Sequence, residues 1–172
     1  MLYFSVGMPQ SGKSTVAAKW RDLVQCNKYQ HPQDVANNNW WWTINNGDIK
    51  HPVIVNGDDF RLATHGQVYR RLSESIVWGH VHVAIQALLL TGHTVFFDET
   101  NSSEWSIRRI FEIDANAVPV FVNTPKETCI ARAIEKGQDD LVPVIERVSE
   151  NLKIMTPERI EEIRREYVKP SA

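Results

Sequence analysis

The sequence predicts an α/β domain, a parallel sheet with helices on both faces, and three observations predict it. Short apolar strands alternate with stretches of helical pattern, the order that builds a parallel sheet covered on both sides. A glycine-rich turn joins the first strand to the first helix. Polar motifs then recur directly after strands, at the carboxyl edge where such sheets hold ligands. The chain has 172 residues, of which 42% are hydrophobic and 23% charged, which suits a single domain over 1–172.

The elements follow in order. Leu2 to Val6 is an apolar strand, and residues 13 to 26 repeat Val16, Ala17, Trp20, Leu23 and Val24 at helical spacing. Residues 27 to 52 are polar around a "WWWTI" run, with "NNGD" at 45 to 48 as a hairpin turn. Val53 to Val55 is a second strand. A long helix is expected from about Gln67 to Leu90, ended by Gly92. "HTVFFD" at 93 to 98 is a third strand, followed by a helix capped at Ser102 or Ser103. "VPVFV" at 118 to 122 is a fourth strand. Helices are expected at about 125 to 136, 143 to 155 and 157 to 168, the last capped by Thr156 with Pro157 at its first position.

"GMPQSGKST" at 7 to 15 carries the most specific chemistry. Gly7, Gly12, Lys13 and Ser14 fill every fixed position of the P-loop pattern, and the motif follows a strand and opens a helix. Backbone N–H groups across Gln10, Ser11 and Gly12 face anionic phosphates. Lys13 reaches the β- and γ-phosphates, Ser14 ligates Mg²⁺ and Thr15 bonds the α-phosphate. A chance glycine-rich turn is the bland alternative, at odds of roughly one in twenty once this context is met.

Two further motifs share the edge. "VIVNGDDFR" supplies Asp58, Asp59 and Arg61: a carboxylate to accept a hydroxyl proton, and a cation to hold an anionic acceptor. The same residues read more plainly as a helix start, Asp58 capping and Asp59 facing the dipole. "VFFDETN" supplies Asp98, Glu99, Thr100 and Asn101, where an acid holds the water shell of Mg²⁺ or simply shapes a loop.

The P-loop, "DDFR", "DETN" and "RAIEKG" before "VPVIERV" together resemble the kinase domain of the phage-type polynucleotide 5′-hydroxyl kinases. The resemblance spans most of the chain. It implies an adenylate-kinase-like P-loop NTPase fold with a lid at about 132–143. It also implies ATP and Mg²⁺ as cofactors and a nucleic acid 5′ end as substrate. By that resemblance Lys13, Ser14 and Thr15 bind phosphate and metal. Asp58 is the general base, Arg61 orients the acceptor's phosphate, and Glu99, or Asp98 beside it, serves Mg²⁺. Arg132 is the lid arginine near adenine.

The chain departs from the pattern in three ways. Lys136 stands where a second lid arginine is expected, keeping charge but losing the planar fork, with Arg147 as an alternative. An insertion at about 27–52, roughly two dozen residues, lengthens the interval between Lys13 and Asp58. No aspartate-rich phosphatase motif follows, so no 3′-phosphatase activity is expected.

Other features bound the function. Net charge is −2, which disfavours a broad nucleic-acid-gripping face. Tryptophans in the insertion either stack on bases, at roughly 1–3 kcal/mol per base, or pack a small hairpin onto the domain. Cys26 and Cys129 are expected as buried free thiols. The histidines lack zinc spacing, and "ERIEEIRREY" reads as a solvated, paired helix face. No signal peptide or membrane span is visible, so a cytoplasmic protein, of a bacterial host or cell, is expected, with no membrane contact and no evident protein partner. The acceptor stays open among a 5′-hydroxyl, a hydroxymethylated base, a nucleoside, a sugar and a nucleotide-sugar. A non-catalytic nucleotide switch is the alternative of another class.

Overall fold

In the computed structural model the chain runs β1 (Leu2–Val6), α1 (Lys13–Gln25), β2 (Lys28–Tyr29), α2 (Pro32–Ala36), β3 (Thr43–Ile44), β4 (Pro52–Asn56), α3 (Gly57–His65) and α4 (Glu74–Leu90). It continues with β5 (Thr94–Asp98), α5 (Glu104–Ile113), β6 (Val118–Phe121), α6 (Lys126–Glu135), a 3-10 turn (Asp139–Leu141), α7 (Val142–Ile154) and α8 (Pro157–Arg165). The structure describes residues 1–26, 31–38, 51–66 and 73–168, with the backbone of 28–29 and 43–44. The Trp40–Trp42 run, the turn at 45–48 and the start of the helix expected from Gln67 lie outside the described residues.

The main sheet has the order β4-β5-β1-β6, and its pairs are parallel. Side chains alternate between faces because the strand repeat is two residues. Leu2, Phe4 and Val6 of β1 join Val77, Val81 and Ile85 of α4, Ile107 and Ile110 of α5, and Ile160 and Ile163 of α8. Tyr3 points the other way, into Ala17, Trp20 and Val24 of α1 and Val35 of α2. Trp20 is fully buried and meets the Tyr3 ring edge-on at 5.8 Å. Burying a side chain of this size stabilises by about 3 kcal/mol or more. A third cluster under Met8 joins Cys129 and Ala133 of α6 to Ile145 and Val148 of α7. Strands stacked in parallel bring the ends of β1, β4 and β5 to one edge. Asn56 pairs with Asp98 in register, and Phe97 pairs with Phe4.

Several local expectations change. Asn56, not Asp58, caps α3: its carbonyl oxygen accepts from the Asp58 N–H at 2.7 Å, and Asp58 and Asp59 occupy the first turn. Asn56 sits one residue outside the helix in extended conformation, which is the geometry a cap requires. Ser103 caps α5 in a reciprocal box with Ser106. Of the two cysteines, both free, Cys129 is buried but Cys26 is exposed. The charged face of α8 is not merely solvated. Arg159 reaches Glu104 and Glu166 reaches Arg108, so α8 is tied to α5. The edge strand β6 tolerates Pro119, whose missing N–H is affordable on a sheet margin.

Candidate active site

Gly7 donates to the Thr100 carbonyl at 3.2 Å, so the loop leaves β1 against the end of β5. A methyl at Gly7 would meet the Val122 carbonyl at 2.9 Å and Ser11 Oγ at 3.0 Å. Gly12 has φ +98°, a conformation glycine alone adopts without strain, and α1 opens immediately after it. Ser11 Oγ is buried without a hydrogen-bond partner among the described residues. Thr124 Oγ1 donates to the Ser11 carbonyl at 2.7 Å and holds the loop from behind. The Lys13 ammonium donates to the Met8 carbonyl at 2.6 Å. Burial pulls its pKa down, and Asp98 and Glu99 pull it back up. A concave loop of N–H groups with a buried cation and an orphaned hydroxyl fits a polyphosphate.

Asp58, Arg61, Glu74 and Glu99 form one cluster beside this loop. Arg61 is buried, and its Nε and Nη2 donate to the two oxygens of Glu74 at 2.9 Å each, a planar fork on a carboxylate. Its Nη1 donates to Asp58 Oδ1 at 2.8 Å and to Glu99 Oε1 at 3.1 Å. Desolvation opposes the Arg61 charge, but the surrounding carboxylates outweigh it and hold the guanidinium firmly protonated. Burial pushes the Glu99 carboxyl up to about 7, with Arg61 pulling the other way. Asp58 stays half-exposed, with one oxygen held by Arg61. Gly57 has no side chain because a methyl there would collide with the Glu99 carboxylate.

Asp98 ends β5, is buried, and accepts from the Asn56 amide at 3.0 Å. Ser5 Oγ donates to the Glu99 carbonyl at 2.7 Å, so the turn after β5 is pinned to β1. Asn101 has φ +44° and its buried amide donates to the Ser5 carbonyl at 2.9 Å. Its job is holding that turn, not capping α5. Among the described residues no group of three or more His, Cys, Asp or Glu side chains has metal-holding geometry. Mg²⁺ travelling with phosphates asks for less: it keeps several waters and takes one or two protein oxygens. Ser14, at the start of α1, and Asp98, near Lys13, are oxygen donors of the kind it takes.

On the opposite side of the loop, Arg132 of α6 donates to the Gln10 carbonyl at 3.1 Å. Lys136 donates to Gln10 Oε1 at 2.7 Å, and Gln10 in turn donates to Gln138. Gln10 has φ +60°, so the loop is bent to meet both cations. Arg147 has no part in these contacts with Gln10.

No protein-family model matches the chain, and no curated protein matches it. Solved structures do. A chain of the Pnkp1/Rnl/Hen1 RNA repair complex superposes with a TM-score of 0.67 at 22% identity, over 94% of this chain and 45% of that one. A second structure of the Pnkp1/Rnl/Hen1 complex gives 0.55 at 26% identity, over 76% of this chain and 38% of that one. A putative kinase from Chloroflexus aurantiacus J-10-fl gives 0.54 at 12% identity, over 95% and 77%. The chain has a P-loop kinase fold. It spans less than half the length of the two repair-complex chains it matches.

Within this P-loop kinase fold, the sequence-predicted residues fall into two groups around the loop. Asp58, Arg61 and Glu99 cluster on the β4–β5 side, and Arg132 and Lys136 on the α6 side. Sequence reasoning missed Glu74, which lies beyond α3 and carries no motif. It also missed Asn56, whose cap position was legible as the residue before "GDD". No helix of the described chain is long and apolar enough to cross a membrane.

Proposed function

We propose that the chain is an ATP-dependent phosphotransferase that moves the γ-phosphoryl group to the 5′-hydroxyl of a polynucleotide. One observation carries the reading: Asp58, the half-exposed carboxylate, is bound through Arg61 to Glu99, on the strand edge that holds Lys13 and the phosphate loop. Likeness to a chain of an RNA repair complex supports the choice of acceptor. Asp58 takes the hydroxyl proton as that oxygen attacks the γ-phosphorus in line, and ADP leaves. Lys13 neutralises phosphoryl charge from one side, and Arg132 and Lys136 from the lid at about 132–143, which closes to exclude water. Mg²⁺, held by Ser14 and Asp98, would neutralise charge between the β- and γ-phosphoryl groups.

Arg61 favours a second reading. It is 7% exposed and four of its five N–H groups are given to three carboxylates, which leaves little of it for an acceptor phosphate. An uncharged hydroxyl compound, such as a nucleoside or sugar, needs no such cation. The test offers γ-labelled ATP and Mg²⁺ with a 5′-hydroxyl oligonucleotide, or with a nucleoside and sugar panel. Label on the oligonucleotide is expected, falling roughly 10²- to 10⁴-fold in Asp58→Asn while ATP binding persists. Label only on a small hydroxyl compound would select the second reading. ATP consumption equal in every tube and in the variant would refute both.

A further inference from the structure

Two tryptophans and an arginine stand together beside the Arg61 cluster, and the phosphoryl transfer described above uses none of them. Glu74, which receives the Arg61 fork, opens α4. Trp78 follows one helical turn later on the same face. Its buried ring meets the Phe97 ring edge-on at 5.7 Å, on the strand that ends in Asp98. It also meets the Trp105 ring at 5.4 Å, with the two planes 81° apart. Trp105 lies in the first turn of α5, just past the Asp98–Asn101 turn and the Ser103 cap. The patch therefore sits where α4 and α5 both begin, at the same edge of the sheet as Asp58 and Glu99.

Trp105 is 56% exposed, and among the described residues it is the only exposed Phe, Trp or Tyr. A single exposed ring calls for no partner by itself. Arg109 supplies the second observation. Its guanidinium lies over both rings, 4.8 Å from the Trp105 centroid and 5.2 Å from that of Trp78. The neighbouring arginines are engaged: Arg108 binds Glu104 and Glu166, and Arg159 binds Glu104 and Glu162. Arg109 pairs with no carboxylate among the described residues. An exposed aromatic face, steadied by a buried ring beneath it, thus stands next to a cation without a counterion. That pairing suits single-stranded nucleic acid, base on ring and phosphate on cation. One such patch also suits a net charge of −2, which favours a local contact over a broad basic face.

We propose that Trp105 and Arg109 hold the acceptor strand behind its reacting end. The Trp105 ring stacks on a base to the 3′ side of the terminal nucleotide, and Arg109 receives the phosphate between them. This rests on the reading of the chain as a polynucleotide 5′-hydroxyl kinase. Arg61, Glu74 and a turn of α4 lie between Asp58 and the patch, so a lone nucleotide at Asp58 does not reach it. The patch selects strands over small hydroxyl compounds.

The intact chain, with ATP and Mg²⁺, would be offered a 5′-hydroxyl oligothymidylate or thymidine 3′-monophosphate, as wild type, Trp105→Ala, Trp105→Phe and Arg109→Gln. Trp105→Ala is expected to lower the ratio of kcat/KM for the strand to that for the mononucleotide about tenfold, through KM. Trp105→Phe should restore most of it. Arg109→Gln should lower the same ratio and flatten its dependence on salt. Abasic sites behind the first nucleotide should cost wild type as much as Trp105→Ala does, and cost that variant nothing more. An unchanged ratio in Trp105→Ala or Arg109→Gln overturns the proposal. Equal loss on both acceptors also overturns it, because the variants then act through the fold. Fluorescence anisotropy of a labelled oligothymidylate separates the patch from the reading beneath it. If wild type phosphorylates no strand but binds one, and Trp105→Ala weakens that binding, the acceptor reading fails and the patch stands as a strand-binding site. No binding by wild type overturns both.

Discussion

At the scale of single residues, Arg61 is the hub, and its surroundings make two measurable statements. Removing it leaves the carboxylates of Glu74 and Glu99 mostly buried, at 20% and 18% side-chain exposure, without their cation. Arg61→Ala should therefore cost about 3 kcal/mol by urea unfolding, the low end for breaking a buried pair because both carboxylates keep some solvent. Arg61→Lys should recover only part, since a point charge cannot fork onto Glu74. Glu99 carries the second statement. Its carboxyl is raised from 4.5 to about 7, first by burial. Between those values the folded chain holds a proton that the unfolded chain releases. Stability from this group is complete below pH 4.5 and is lost as pH rises through about 7. In metal-free buffer, Glu99→Gln should flatten the fall in unfolding free energy across that window, by up to about 3 kcal/mol. Unfolding curves at several pH values that keep the same slope in the variant would refute the assignment.

Among the elements, α2 is the informative case. It has five residues, too short to hold itself together in water. Gln33 on β6 and Val35, 4% exposed under Tyr3 and Trp20, keep it in place. Gln33→Ala should cost about 1–3 kcal/mol and should remove hydrogen-exchange protection at the Phe121 amide, which has Gln33 as its acceptor. The longer elements were legible because each carries its own pattern. The strands at 2–6 and 94–98 are apolar runs buried along their length. α8 was readable from Thr156 and Pro157, and Thr156 Oγ1 accepts from the Arg159 N–H at 3.3 Å. α2 has only Pro32 at its first position as a local signal, and what holds it includes a contact 88 positions away in sequence. The start of α3 was misread by two residues, since Asn56 and Asp58 are both good caps and only the end of β4 decides between them.

For the molecule as a whole, the sheet order places the phosphate loop between its two sets of partners. β1 lies between β5 and β6, so the loop after it is reached by Asp98 and Glu99 from one side and by Arg132 and Lys136 from the other. A ligand bound there touches groups from several elements and should stabilise the folded chain by mass action. Mg·ATP at about 100 times its dissociation constant should add about 2.7 kcal/mol, or roughly 5–10 °C in the thermal midpoint. Lys13→Ala should remove that shift. The sequence by itself determined the phosphate loop, the alternation that builds a parallel sheet, and Asp58 and Glu99 as candidate acids. Each of these is written in neighbouring residues, where period, glycine placement and polar spacing are local. Only the tertiary structure decided that Arg61 is enclosed by Asp58, Glu74 and Glu99, and that α2 packs against the edge strand β6 and under Tyr3 and Trp20. Both depend on which strand ends lie side by side, and that follows from burying two sheet faces at once, a property of the whole chain.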